Sequence, residues 1–287
     1  MINNKYSVLM SVYEKEDPDY VKQSIDSMLD QTLSPNEIVI VKDGELTEEL
    51  DQIIETYQSS NSDLFTIVPL SENLGLGRAL NEGLKACRNE LVARMDTDDI
   101  SIPERCEIQV QKFRENSEFS IIGSNIDEFY DDPDEIVSSR IVPAEHKDIL
   151  RFSKRRNPFN HPSVMYKKSD VMEQGGYGDY RRNQDLDLFV RMLNNGCIAG
   201  NIQQSLVLFR ADKDNFKRRK SWEKCRSYIG MIYNFWRKGY SSLIDLIIVA
   251  VSQIVIYLAP TSFLEWLSNN YLRKRQEKQK DKTLKDV

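Results

Sequence analysis

The chain has 287 residues, of which 40% are hydrophobic and 29% charged, with a net charge of −6. That length suits one large α/β domain with a smaller C-terminal module, and the composition excludes bulk disorder. The negative balance argues against a general nucleic-acid binder, because no overall positive field attracts phosphates.

The first hundred residues alternate between strand and helix patterns. Tyr6–Val12 is a short apolar run, expected as a strand, and residues 19–30 place Val21, Ile25, Met28 and Leu29 at helical spacing. Glu37 to Lys42 is β-branched and unbroken, as in a strand buried on both faces of a parallel sheet. Residues 48–57 read as helix, Phe65–Pro69 as strand, residues 77–86 as helix and residues 91–95 as strand. Four β-α units in succession imply a Rossmann-like parallel sheet. In such sheets ligands collect beyond the carboxyl ends of the strands. Three polar clusters fall there: Ser11 to Glu16, Asp43-Gly44, and Asp96 to Asp99.

After Pro103 the pattern changes. A helix is expected over residues 103–115 and a strand over residues 120–129. The acidic turn from Asp131 to Asp134 then leads to residues 136–142, as in a hairpin. Residues 144–212 mix short helices and strands, suited to covering a site and selecting an acceptor. The domain reading is therefore 1–212, with a nucleotide-binding half over 1–100 and an acceptor-side half over 101–212. Residues 213–287 form a separate basic and apolar helical region. There, Lys217 to Lys220 is a basic run, and Leu243–Leu258 is almost wholly apolar, broken by Asp245, Ser252 and Gln253. That run is shorter than the roughly 20 residues that span a bilayer, and its polar residues are costly at the membrane centre. A helix on the membrane surface or partly inserted is the preferred reading. Basic neighbours would attract anionic lipids.

The chemistry concentrates in Met95-Asp96-Thr97-Asp98-Asp99. Three carboxylates in four positions repel one another, so a positive partner is expected. Carboxylate oxygens suit Mg2+ or Mn2+, which in turn bridge phosphate oxygens. An isolated run of this kind also fits a solvated acidic loop; its place at a strand end, with Asp43 at another, favours the site. Asp43 ends a buried strand, and Gly44 permits a sharp turn. The stretch from Asn73 to Gly83, with Gly77 and Arg78, opens a helix like a phosphate-cradling loop but lacks the full GxGxxG spacing and any Walker lysine. Asp185, at the entry of a helix whose Leu186, Phe189, Met192 and Leu193 face the core, is held ionised by the helix dipole and suits a general base. Cys87, Cys106, Cys197 and Cys225 are scattered, with no CxxC pair, and read as reduced structural thiols. The N-terminus shows no secretory pattern, so the expectation is a catalytic part that stays in the cytoplasm.

Together these motifs resemble glycosyltransferase family 2, the inverting enzymes of the GT-A fold, in the form found in bacterial surface-polysaccharide assembly. The resemblance covers residues 6–211. It implies an α/β GT-A, Rossmann-like nucleotide-binding sheet with helices on both faces, plus a C-terminal helical segment that associates with the membrane. The end of the first strand (Val12, Tyr13, Glu14) matches the nucleotide contact. Asp43 matches the base-binding aspartate, and Asn73, Gly77 and Arg78 fall in the N-x-G-x-x-x-A-x-N-x-G segment. Arg94 to Asp99 matches the DxD-type motif, which implies ribose or metal at Asp98 and metal at Asp99, with Asp96 the alternative ligand. The catalytic base carries over to Asp185, preceded by Gln184 where the family has Glu; Asp187 is the fallback. His161, in Asn160 to Met165, and the basic Lys217 and Arg218 are candidates for a diphosphate or the acceptor.

The implied reaction moves a hexose from a nucleotide-sugar, UDP-linked by resemblance, with Mg2+ or Mn2+. The acceptor is a saccharide hydroxyl, with a lipid-diphosphate carrier preferred. The implied location is the cytoplasmic side of the cell membrane, peripheral or partly inserted. A sugar-1-phosphate nucleotidyltransferase should carry a Gly-rich, Arg- and Lys-bearing loop after the first strand, which Val12 to Pro18 does not. A non-catalytic nucleotide-sugar-binding homologue is the other alternative, against which stand Asp43, the acidic run and Asp185.

Overall fold

A computed structural model describes residues 4–211 and 221–260; Lys217 and Arg218 lie outside them. The first hundred residues form as their sequence pattern dictates. β1 (Tyr6–Val12) and β2 (Glu37–Lys42) are buried along their apolar lengths, and β3 (Phe65–Pro69) and β4 (Leu91–Arg94) complete a parallel array in the order β3-β2-β1-β4. The helices between them start at identifiable caps. In α1 (Pro18–Leu29) the Asp17 side chain accepts from the amides of Asp19 and Tyr20; in α2 (Glu48–Ser60) Thr47 accepts from Leu50 N–H. α3 (Leu76–Ala86) opens after Gly75 at φ +84.

The sheet then continues antiparallel. β8 (Met165–Lys167) pairs with β4, β6 (Phe119–Phe129) with β8, and β9 (Ile198–Arg210) runs parallel to β6. β5 (Ile100–Ser101) closes on β9, and with β7 (Ser138–Arg140) beside β6 the sheet has nine strands among the described residues. The hairpin expected over 136–142 shrinks to β7, because Val142 N–H donates to the Asn125 side chain instead of continuing the ladder. α4 (Arg105–Glu115) begins two residues after Pro103, within the usual latitude of helix ends. The 13 residues of β9 are not separable from the mixed region by pattern.

One apolar cluster fills the α1, α2 and α4 face; a second packs α3, α5 (His146–Ser153), α6 (Lys168–Glu173) and α7 (Gln184–Asn194) on the other. A third joins Leu186 and Val190 of α7 to Met231, Ile232 and Phe235 of α8 (Trp222–Arg237) and Val249 of α9 (Leu243–Leu258). The C-terminal helices therefore pack on the helix that begins with Gln184 and Asp185. Among the described residues, no helix is long and apolar enough to cross a membrane.

Candidate active site

Because Leu9 stands beside Arg94 and Val12 beside Lys42 in the sheet, the carboxyl ends of β1, β2 and β4 bring the three polar clusters together. They enclose a pocket of about 260 Å3. Tyr13, Asp43, Asn73, Arg94, Asp96 and Asp98 line it, joined by Ser11, Glu16, Gly75, Leu76 and Thr97.

Asp43 is buried, and its two carboxylate oxygens accept from the backbone amides of Leu74 and Gly75, at 2.7 and 3.1 Å. The Asn73 side chain donates to Asp43 O at 3.2 Å. The aspartate thus fixes the loop that forms one wall. Gly44, at φ +89, lies where an added Cβ would stand 2.7 Å from Asn73 N, so only glycine lets the two loops meet.

Arg94 is 1% exposed and ion-pairs with Asp96; its guanidinium also donates to Leu9 O. A second buried arginine, Arg105, donates to Arg94 O at 2.6 Å. Ser24 Oγ donates to Asp96 O at 2.8 Å, tying α1 to the acidic run. Asp98 is half-buried, and burial together with Asp96 pushes its carboxyl up to about 6. Burial, Asp98 and Asp96 push Glu16 up to about 7. Asp99 is fully buried behind the pocket; its Oδ1 accepts from Arg210 N–H at 2.9 Å, and its Oδ2 has no partner.

Among the described residues, no three metal-ligating side chains converge. Carboxylates that resist joint ionisation and an orphaned buried oxygen nonetheless fit a divalent cation that takes one or two protein oxygens and completes its shell from phosphate and water. The donor set is hard oxygen, which suits Mg2+ or Mn2+.

The remaining expected contacts lie outside the lining. Val12 is buried in its strand. A turn from Tyr13 O to Glu16 N leaves Glu14 in solvent and brings Glu16 back to the pocket. An added Cβ on Gly77 would meet Gly178 O at 3.1 Å and Gln184 Cβ at 3.2 Å, so its role here is the close approach of α3 to α7. Arg78 is exposed and pairs with Asp179.

Asp185 stands in the first turn of α7, following Asn183 at φ 60. It is half-buried, and its Oδ2 accepts from Asn157 Nδ2 at 2.6 Å. Asp187, the fallback base, is 3% exposed and held by Arg191 at 2.7 Å. His161 Nε2 is 3.0 Å from Tyr177 Oη. Burial, with Arg94 nearby, lowers the His161 pKa, while Asp96 and Asp185 oppose that shift. Tyr177 likewise senses Arg94, Asp185 and Asp96. These two rings therefore feel both the Arg94–Asp96 pair and Asp185. Asn81 positions Tyr177 by bonding to both its amide and its carbonyl, at 2.8 Å each, which gives that asparagine of the sequence motif its physical task.

Residues 7–175, more than half of the chain, match the family model described as Glycosyl transferase family 2. The chain belongs to glycosyltransferase family 2. Among similar proteins of this family 2 chain is the UDP-Gal:alpha-D-GlcNAc-diphosphoundecaprenol beta-1,3-galactosyltransferase of Escherichia coli. It is 38% identical over 271 residues, covering 94% of this chain and 97% of the relative. The amylovoran biosynthesis glycosyltransferase AmsE of Erwinia amylovora is 37% identical over 226 residues, covering 78% and 83%. The mannosyltransferase PcManGT of Pyrobaculum calidifontis, solved with GDP-Man and Mn2+, superposes with a TM-score of 0.62 at 14% identity, covering 92% of this chain and 74% of that one. S. aureus TarS 1–349, solved with UDP, gives 0.59 at 17% identity, covering 94% and 73%. At these identities the solved structures establish the GT-A fold alone.

Sequence reasoning on this family 2 protein misses Arg210 altogether. β9 delivers it to the acidic run, where its backbone amide holds Asp99 and its Nε donates to Asp98 O at 3.0 Å. Its guanidinium carbon lies 3.8 Å from the Tyr20 ring centroid and 4.6 Å from that of Phe129. Glu16 lies within a polar cluster of the sequence, but nothing local assigns it a role. Asn157 carries no local signal.

Proposed function

We propose that the protein is an inverting glycosyltransferase. It moves a hexose from a UDP-sugar to a hydroxyl of a lipid-diphosphate-linked saccharide during surface-polysaccharide synthesis. The observation that carries this reading is the pocket where the carboxyl ends of β1, β2 and β4 gather Asp43, Asn73, Arg94, Asp96 and Asp98; His161 and Tyr177, which bond each other, feel the charges of both Asp96 and Asp185. The donor's nucleotide occupies the pocket beside Asp43, Asn73 and Tyr13, with its diphosphate directed to the acidic run. Asp98 and Asp99 would hold the divalent cation, with Asp96 the alternative ligand. When bound, that cation offsets the charge growing on the departing diphosphate. Asp185 accepts the proton of the acceptor hydroxyl as its oxygen bonds to the anomeric carbon and the bond to the nucleoside diphosphate breaks. Attack from the face opposite the leaving group inverts the centre, so an α-linked donor gives a β-linkage. The diphosphoundecaprenol substrate named for the E. coli relative supports the lipid-linked acceptor.

The outward face of α9 supports a membrane-surface location; the proposed side is the cytoplasmic one. Leu243, Ile244, Ile247, Val251, Val255 and Leu258 are exposed there, and Trp222 packs near Tyr257.

General-base help is worth ~10²–10⁴ in rate. Asp185→Asn is therefore expected to lose transfer by that order while UDP-sugar binding, read as metal-dependent thermal stabilisation, persists. Near wild-type turnover in Asp185→Asn would remove the base from this position. A screen in which no UDP-hexose is bound or hydrolysed would overturn the donor.

A further inference from the structure

A second cavity, of about 640 Å3, opens between the end of α5 and the start of α9. Arg151, Lys154, Arg155 and Arg156 line it, four cations within six positions, against the carboxylates of Asp148 and Asp245. Asp245 is already committed: it pairs with Arg155 and accepts from Ser242 N–H and Oγ in the capping box of α9. Among the described residues, Arg151, Lys154 and Arg156 have no carboxylate within ion-pair distance. A solvated basic turn would scatter such charges over a convex surface. Here they line one concavity in which four cations outnumber two carboxylates, and a cleft with a net positive charge focuses its field on an incoming anion. The turn is also braced. The Arg156 guanidinium lies 5.4 Å from the Phe152 ring centroid, and Tyr228 Oη donates to Arg155 O at 2.9 Å.

The placement of this cavity limits which anion fits. Arg156 is the chain neighbour of Asn157, whose side chain bonds Asp185 and whose carbonyl accepts from Arg140 Nη2 at 2.9 Å. Burial and the like charge of Arg156 both lower the Arg140 pKa, while Asp185 opposes them. Tyr228 senses Arg156, Arg140 and Asp185 together. Arg156 is thus separated from Asp185 by the single residue Asn157 and its side-chain bond. On the other side, Ile244 forms part of the wall and begins the exposed apolar face of α9. The site asks for a ligand with a sugar hydroxyl at one end, an anion in the middle and an apolar chain at the other.

We propose that this basic cavity binds the diphosphate of a lipid-linked saccharide acceptor, with Arg151, Lys154 and Arg156 as its recognition residues. The inference rests on the transferase reading with Asp185 as base. The diphosphate is bonded directly to the first acceptor sugar. Seating it beside Arg156 presents that sugar to Asp185, while the lipid follows α9. The donor's diphosphate belongs to the separate pocket at the acidic run.

The test uses the full-length protein with three acceptors carrying the same sugar and alkyl chain: a diphosphate, a monophosphate and a neutral glycoside. Wild type is expected to prefer the diphosphate to the neutral glycoside in kcat/KM, by about tenfold for each charge-assisted hydrogen bond to a phosphate oxygen. In Arg151→Ser/Lys154→Ser/Arg156→Ser that preference collapses through a higher acceptor KM, while the donor KM holds. Single substitution of the exposed Arg151 to Ser gives a smaller change of the same kind and guards against a triple variant that misfolds. A wild-type protein indifferent to the diphosphate overturns the proposal without any variant, as does a folded triple variant that keeps the preference. Phosphatidylglycerol vesicles separate the other source of phosphate. If the triple variant loses vesicle binding but keeps its KM for the diphosphate, the cations serve lipid headgroups and the proposal fails. Transfer to the neutral glycoside at the diphosphate rate removes only this cavity's role. Absence of hydrolysis or transfer with every UDP-sugar removes the transferase reading itself.

Discussion

Arg210→Ala tests whether the acidic run is held from behind by β9. The substitution deletes the bond from Nε to Asp98 O, a bond to Gln23, and the contacts with the Tyr20 and Phe129 rings. A hydrogen bond from a charged group contributes about 1.5–3 kcal/mol, and each cation–π contact at a partly exposed site about 0.5–1 kcal/mol. Arg210 is half-buried, so the lower part of each range applies, and the expected loss is about 2–4 kcal/mol. The backbone amide that serves Asp99 survives the change, so the strand pairing should persist. The charge effect on the site is separate. Arg210 lowers the Asp98 pKa, and without it the carboxyl rises further above about 6. If Asp98 holds the cation as proposed, nucleotide-sugar binding should then lose its acid limb at a higher pH than in wild type. Urea denaturation measures the first effect, and donor affinity measured from about pH 5.5 to 8 measures the second. A stability loss well under about 1 kcal/mol together with an unmoved acid limb would refute the clamp.

Three further outcomes follow from the same geometry. Gly44→Ala forces a Cβ against Asn73 N and strains a positive φ, each a reason to lose about 1–3 kcal/mol, and nucleotide affinity should fall with the displaced loop. Unchanged urea midpoint and affinity would show that the two loops do not depend on this contact. Glu37 is a buried carboxylate accepting from Ser7 Oγ, Thr66 Oγ1 and both the amide and the Nε of Arg88; Glu37→Gln turns a donor toward donors and should cost about 2–4 kcal/mol, read as a lower melting temperature without a change in donor KM. In the metal-free protein Glu16 and Asp98 have folded pKa values raised to about 7 and about 6. A raised carboxyl favours the protonated folded state, so their contribution is full below about pH 4 and is lost as pH rises through about 6 and 7. Added Mn2+ should restore stability most at about pH 8; a melting temperature equally responsive to Mn2+ at about pH 5 and pH 8 would contradict this.

The parallel half of the fold is legible because each strand in it is a single apolar run. β1 and β2 are buried on both faces, so Tyr6–Val12 and Glu37–Lys42 stand out without any alternation to decode. β9 hides for the opposite reason. Its Gly200, Asn201, Gln203 and Gln204 interrupt the apolar positions, and the β6–β9 register shifts at Ser124, Asn125 and Ile126 break the two-residue period that marks a half-buried strand. The short β7 fails as a signal because one asparagine side chain, Asn125, replaces a ladder partner.

The site divides along the same line between local and distant causes. Asp43, Asp96, Asp98 and Asp185 sit at element ends, where strand or helix periodicity stops, and sequence alone places such positions. It does not give their partners. The family pattern assigns Asp43 to a nucleotide base, yet both its oxygens accept from loop amides about thirty positions away. Arg210 meets Asp98 and Asp99 across more than 110 positions, a contact created by the β5–β9 pairing and by nothing near Arg210 in the chain. Asn157 reaches Asp185 in the same way, from the turn that follows α5. The carboxylates are local signals, and the cations and amides that partner them come from distant parts of the chain. Of the two acids that open α7, Arg191 ion-pairs with Asp187, whereas Asp185 accepts from a neutral amide, that of Asn157.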